Sequence, residues 1–383
     1  MKHHVLSGID RLELLFPCLQ NRRVGLMTNP TGINHQLQSS IDLLNKCCNL
    51  TALFAVEHGI RGDIQAGVKV ESGTDEQTGI PVYSTYDNRA HFTPEMLDAF
   101  DVLVFDIQDV GARFYTYIYS LANTMKSCAS AGKPLIVLDR INPLGGVKRC
   151  GTVLDPAFAS FVGNYALPTQ YALTVGEYAR YVRDYLSLSM DLTVIPLLGW
   201  QRHMLLDDTD LPWVATSPNC PDLATALCYI GTCIFEGSNI SEGRGTTQPF
   251  QLIGAPFLDA YALSDSMNSM NLPGLFFRPV AFRPTFSKYA GELCHGVQMH
   301  ITDREHCDCF AGGLWLMDRI RSLAGEQFQF IHWGDQTSFP VDLLLGTDAF
   351  RRKAMDTGEF IATHQHKVRE FSRTVRQFEL YDE

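Results

Sequence analysis

Four short apolar runs in the first 145 residues, each ending abruptly in polar residues, constrain the fold of this chain more than any other feature. Residues 24–27 run into Thr28-Asn29-Pro30, and 53–56 into Glu57-His58-Gly59. Residues 102–107 run into Gln108-Asp109-Val110-Gly111-Ala112-Arg113, and 135–138 into Asp139-Arg140-Ile141-Asn142-Pro143. Between them, 39–48, 94–100 and 117–131 carry helical spacing, the last closed by Gly132. Continuous apolar strands alternating with helices specify a parallel sheet covered on both faces. Ligands of such sheets bind beyond the carboxyl ends of the strands. Glu57, His58, Asp106, Asp109, Arg113, Asp139 and Arg140 are therefore expected on one rim, with Asn29, Gln108 and Tyr115 beside them as ligand contacts.

The pattern fades after Gly145-Gly146, and 151–169 reads as a long structured loop. A helix over 174–186 is entered through Thr174, with Glu177 three residues on as a capping box, and 192–195 reads as a strand. At 383 residues the chain has room for two domains, expected at 1–213 and 214–383. The second half opens on the polar run 216–221, which holds Asn219. It continues to 235–247, where Glu236, Asn239, Glu242 and Arg244 lie among glycines that allow close approach of a ligand. Beyond residue 279 a strand at 296–301 and helices at 310–323 and 348–357 suggest a smaller α/β domain.

A net charge of -11 without any Lys/Arg cluster argues against nucleic acid as a partner. No run approaches the roughly 20 apolar residues of a membrane helix. The N-terminus lacks the apolar core of an export signal, so the expected location is the cytoplasm. The 11 scattered cysteines fit a reducing compartment. His306-Cys307-Asp308-Cys309 lacks the second ligand pair of a structural zinc site, and no metal is expected.

No GxGxxG follows the first strand, and GxxxxGK[ST], GxSxG and HExxH are absent, so neither a nucleotide cofactor nor any other is expected. Carboxylates, amides and arginines remain, the equipment of glycoside hydrolysis. Glu57 is the candidate acid, because a carboxyl held among apolar neighbours keeps its proton to higher pH. Pairing with Arg61, four residues on, is the competing explanation. Asp106, Asp109 and Glu242 compete for the second role, and Arg113 and Arg244 could each fork onto a substrate carboxylate.

The blocks LFAVEHGIRGD, FDIQDVGARFYTYIYSL, LDRINPLGG, SFVGNY, SPNCPDLATALCYIGTCIFEGSNISEGRGTTQPFQLIGAP and FSKYAGELCHGVQMHITDR, spread over nearly the whole chain, resemble the exo-β-N-acetylmuramidase (NamZ) family. The resemblance implies a Rossmann-like N-terminal domain, a smaller C-terminal α/β domain and a cleft between them. It also implies release of N-acetylmuramic acid from the non-reducing end of peptidoglycan-derived glycans, with the glutamate of the EHG motif, here Glu57, as the catalytic residue. The lactyl carboxylate of that sugar would explain arginines in the cleft, and its 2-acetamido oxygen could act as internal nucleophile. An amino-sugar-binding homologue without activity, or with altered specificity, is the alternative. Its support is Gln170-Tyr171-Ala172, where the family pattern reads Arg-His-Gly. Val56, Ile141 and Thr216 stand where that pattern has proline.

Overall fold

In the computed structural model, which describes residues 2–57, 59–61, 72–85, 91–334 and 337–383, the apolar runs form the middle of a seven-stranded sheet. Its strands are β1 (Arg23–Thr28), β2 (Asn49–Ala55), β3 (Gly73–Thr74), β4 (Pro81–Ser84), β5 (Val102–Asp106), β6 (Leu135–Leu138) and β7 (Leu192–Ile195). They lie in the order β3-β4-β2-β1-β5-β6-β7. All neighbours pair in parallel except β3 with β4. Every residue of β5 and β6 is buried, as expected of strands covered on both faces.

The crossover helices are α2 (Ser40–Cys47), α3 (Pro94–Asp98), α4 (Tyr117–Ala131) and α5 (Val175–Tyr185), preceded by α1 (Leu12–Leu19). Thr174 accepts from the Glu177 N–H and its own N–H donates back to Glu177, completing the expected capping box. The chain builds outward from β1 through β2 to β4, then crosses to β5, β6 and β7. The order therefore reverses between β1 and β5, where such sheets leave a crevice. Thr28 is in register with both Ala55 and Asp106, so the residues that follow β1, β2 and β5 emerge at one level.

The second layer is a three-stranded antiparallel sheet of β8 (Leu252–Ala255), β9 (Leu275–Phe282) and β10 (Cys294–Ile301), ordered β8-β10-β9. It packs with α6 (Leu223–Thr232), α7 (Ala260–Asn268) and α8 (Cys309–Ala324). The backbones of α6 and α8 touch: a Cβ on Gly231 would lie 1.8 Å from the Cys309 carbonyl oxygen, and one on Gly313 1.9 Å from that of Gly231. Two short-range glycines thus set the core of this smaller α/β domain.

The helix expected over 348–357 is absent. Gly346, in the left-handed region, ends α9 (Pro340–Leu345), turns follow, and Asp356 caps α10 (Thr357–Val375). Phe371 and Val375 of α10 pack into the core beneath α4 and α5, so the C-terminal segment returns to the first layer. Among the described residues no helix is long and apolar enough to cross a membrane.

Candidate active site

Glu57 leaves β2 half-buried, and Thr116 donates its hydroxyl to Glu57 Oε2 at 3.1 Å. Thr116 stands at the start of α4 but does not spend its side chain capping that helix. Arg61, the partner that spacing offered for Glu57, forks instead onto Asp75 at 2.9 and 3.0 Å, with Asp42 at 3.7 Å. His58 lies outside the described residues.

At the end of β1 Asn29 Oδ1 accepts from the Thr31 N–H at 3.0 Å and its hydroxyl at 2.5 Å. Asn29 Nδ2 is buried without a hydrogen-bond partner among the described residues. Nearby, the Tyr117 hydroxyl donates to the Thr216 carbonyl at 2.7 Å, and the Tyr115 ring meets the Tyr117 ring edge-on at 5.1 Å. Thr116 and Tyr117 are not singled out by the sequence, and Thr216 stands out there only as a departure from a family proline. The first two sit inside an aromatic run that reads as helix core, and Thr216 arrives from the far side of the chain.

The acids that end β5 and β6 are not open to a ligand. Asp106 is fully buried and takes the Arg140 Nε at 2.7 Å, while Arg140 Nη2 donates to the Ile33 carbonyl at 3.0 Å. Gln108 Nε2 bridges the carbonyls of Asp109 and Ile141, both at 2.7 Å. Asp139 accepts from the N–H groups of Arg140 and Gly176 and from the hydroxyls of Thr174 and Tyr381, so it fastens α5 and the C-terminus to the sheet. Burial pushes its carboxyl up to about 7. Arg113 corrects the expectation of a carboxylate fork. It is fully buried, and its guanidinium is spent on the carbonyls of Thr152, Leu167 and Leu344 and the Thr152 hydroxyl.

Asp109, like Asp139, has a raised carboxyl pKa. Its Oδ2 accepts from the Gly111 N–H at 2.7 Å and from the Tyr171 hydroxyl. Burial pushes its carboxyl up to about 7, against the lowering effect of the Tyr171, Gly111 and Val110 donors. Tyr171 is thus a partner of a rim acid. Gln170 turns away into a cavity of about 380 Å³ with Leu144 and Arg202 in its wall, and Ala172 holds a left-handed φ of 51° that favours glycine.

The raised value has a testable sign. An unfolded Asp releases its proton near pH 4, whereas folded Asp109 keeps it to about 7. Folding takes up a proton between these limits, so stability falls as pH rises from about 4 to about 7. Asp109→Asn cannot ionise and is expected to gain on the wild type progressively across that window in urea unfolding. An unchanged pH slope would show that folded Asp109 is already ionised.

The run 235–247 builds a second charged cluster. Arg244 Nη2 meets Glu236 at 2.7 Å and its Nε lies 3.4 Å from Glu242, while Lys288 Nζ reaches Glu242 Oε2 at 2.9 Å. Lys288 also donates to the carbonyls of Phe235 and Ile240. It lay inside a recognisable block, but spacing gave no reason to choose it. Asn239 is tied to the Gln327 carbonyl and the Gln329 N–H, a structural pairing, and Asn219 is buried in its own turn. An aromatic path joins the cluster to the rim: Tyr115 to Tyr229 at 6.1 Å, Tyr229 to Phe250 at 4.6 Å, and the Arg244 guanidinium over Phe250 at 5.0 Å.

The sequence profile described as exo-β-N-acetylmuramidase NamZ, N-terminal, matches residues 24–224, and its C-terminal counterpart matches 227–381. The chain belongs to the NamZ family. It is 46% identical to the peptidoglycan β-N-acetylmuramidase NamZ of Bacillus subtilis (strain 168), over 99% of this chain and 92% of that protein. Two crystal structures of DUF1343 family proteins from Bacteroides fragilis NCTC 9343 share the architecture. One superposes with a TM-score of 0.92 at 36% identity and the other with 0.78 at 28%, each covering 99% of both chains. The NamZ profile thus spans both layers, and the rim and the charged cluster fall in its two parts.

Proposed function

We propose that this protein is an exo-acting glycoside hydrolase that releases N-acetylmuramic acid from the non-reducing end of peptidoglycan-derived glycans, with Glu57 as general acid. One observation carries the reading. Asp106, Asp109, Asp139 and Glu242 are each at most 3% exposed, whereas Glu57 is half-buried at the rim, held by Thr116 and able to meet a leaving oxygen. Membership of the NamZ family and the activity named for the Bacillus subtilis relative support the substrate class.

A buried Asp109 that keeps its proton to about 7 is poorly suited to attack an anomeric carbon. The 2-acetamido oxygen of the sugar then serves as internal nucleophile. Asp109 acts as a positioning residue through Tyr171 and the 109–111 turn. Glu242 and Glu236 hold the Arg244 fork toward the lactyl carboxylate.

The test is release of 4-nitrophenol from the β-N-acetylmuraminide beside the N-acetylglucosaminide. Turnover of the muramyl compound is expected, and its absence would sink the assignment. Arg244→Ala is expected to raise KM for the muramyl compound about 10-fold or more, as loss of a charge-assisted hydrogen bond does. Equal changes on both sugars would remove Arg244 from carboxylate recognition.

A further inference from the structure

Away from the rim, three chain segments bring two imidazoles and a carboxylate to one point. His4 Nδ1 lies 2.6 Å from Asp210 Oδ2, and His35 Nε2 lies 3.0 Å from the same oxygen. The two rings face each other nearly edge-on with centroids 4.9 Å apart, and the three ligand atoms all fall within 4.8 Å of one another. We propose that His4, His35 and Asp210 form a binding site for a divalent first-row transition ion, zinc foremost.

The donor set suits such an ion. Imidazole nitrogen is a borderline ligand and zinc also takes carboxylate oxygen, and three protein ligands leave a fourth position for water. At metal–ligand lengths of about 2.1 Å a tetrahedral site separates its ligands by about 3.4 Å. Each nitrogen, at 2.6 and 3.0 Å from the Asp210 oxygen, would draw back from it by less than about 1 Å to admit the ion.

Each ligand is also held from behind. Asp210 Oδ1 accepts the Val5 N–H at 3.0 Å, leaving Oδ2 for the two rings. Backbone bonds from His3 to Asp208 and from Asp210 back to His3, at 2.8 and 2.9 Å, fix the first and third segments against each other. Asp10 takes the His35 N–H at 2.7 Å and thereby sets the second. These bonds hold the three segments in place, so little chain ordering would oppose binding.

A second observation points to a missing partner. His35 Nε2 is buried and meets Asp210 Oδ2 at 3.0 Å in poor hydrogen-bond alignment, with no other hydrogen-bond partner among the described residues. An ion in the triangle would take that lone pair. His35 sits on the turn that begins at Asn29, so the ion would fasten the loop leaving β1 to the N-terminus and to the segment before α6.

The full chain, stripped by chelator and dialysed, is titrated with Co²⁺ and followed by visible absorption, then with Zn²⁺ by calorimetry and thermal unfolding. One ion per chain is expected, with the intense absorption of tetrahedral cobalt and a higher Tm in zinc. His4→Gln and His35→Gln should each weaken binding more than about 10-fold. The His4 side chain is 67% exposed, so its variant keeps the fold. His306→Gln removes a comparable exposed contact, His306 to Asp303 at 2.7 Å, and should change nothing. No saturation by about 1 mM ion, or equal weakening by His306→Gln, would overturn the site.

Discussion

Glu57→Gln is expected to cut turnover of a muramyl glycan by at least about 100-fold, the usual contribution of a general acid, while leaving Tm unchanged. The amide has the size and shape of the carboxyl, and its oxygen can still accept from the Thr116 hydroxyl. What it lacks is a proton to give. The size of the loss should depend on the leaving group. A sugar alkoxide needs protonation to depart, whereas 4-nitrophenolate departs readily without it. The variant should therefore lose much more on a disaccharide than on the nitrophenyl glycoside. Equal losses on both would place Glu57 in binding rather than in proton transfer, and unchanged turnover would exclude it from the reaction.

The position of Glu57 at the exit of β2 shows what a sequence of this kind exposes. The central strands are legible because burial on both faces makes them continuous apolar runs, and their ends are legible because polarity returns abruptly at Thr28, Glu57 and Asp139. Capping chemistry made α5 equally readable from Thr174 and Glu177. The antiparallel sheet was harder. β9 mixes buried, partly buried and exposed residues without clean alternation, so no period marks it. The helix expected over 348–357 failed because left-handed residues at Gly346 and Lys353 break the local backbone while the composition stays helical.

Within the site, residue types near strand ends were visible, but their partners were not. Asp109 finds Tyr171 across 62 positions, Glu242 finds Lys288 across 46, and Thr216 reaches Tyr117 across 99. Those distances are set by packing, to which local spacing is blind. The same blindness explains why His4, His35 and Asp210 carry no motif.

Arg113 is the sharpest case, and its variant separates two roles that the sequence could not. Arg113→Ala is expected to destabilise the protein by about 3–5 kcal/mol and to lower Tm by several degrees. The deletion leaves a cavity and takes a charged donor from each of the buried carbonyls of Thr152, Leu167 and Leu344, of which Leu167 keeps the Leu154 N–H at 3.2 Å. Leu344 belongs to α9, so the guanidinium ties the loop before α4 to the C-terminal half of the chain. Burial pulls the Arg113 pKa down to about 10, which still leaves it charged at neutral pH. Arg113→Met fills the volume and brings no charge into the interior, so it should cost less than alanine. Lysine keeps the charge but cannot span three carbonyls with a single ammonium. Had Arg113 gripped the lactyl carboxylate, its loss would lower kcat/KM for the muramyl compound selectively at unchanged Tm. The geometry predicts the reverse. Stability falls, and the ratio of muramyl to glucosaminyl turnover per folded molecule stays constant, whereas a selective kinetic defect in a fully stable variant would return Arg113 to the substrate.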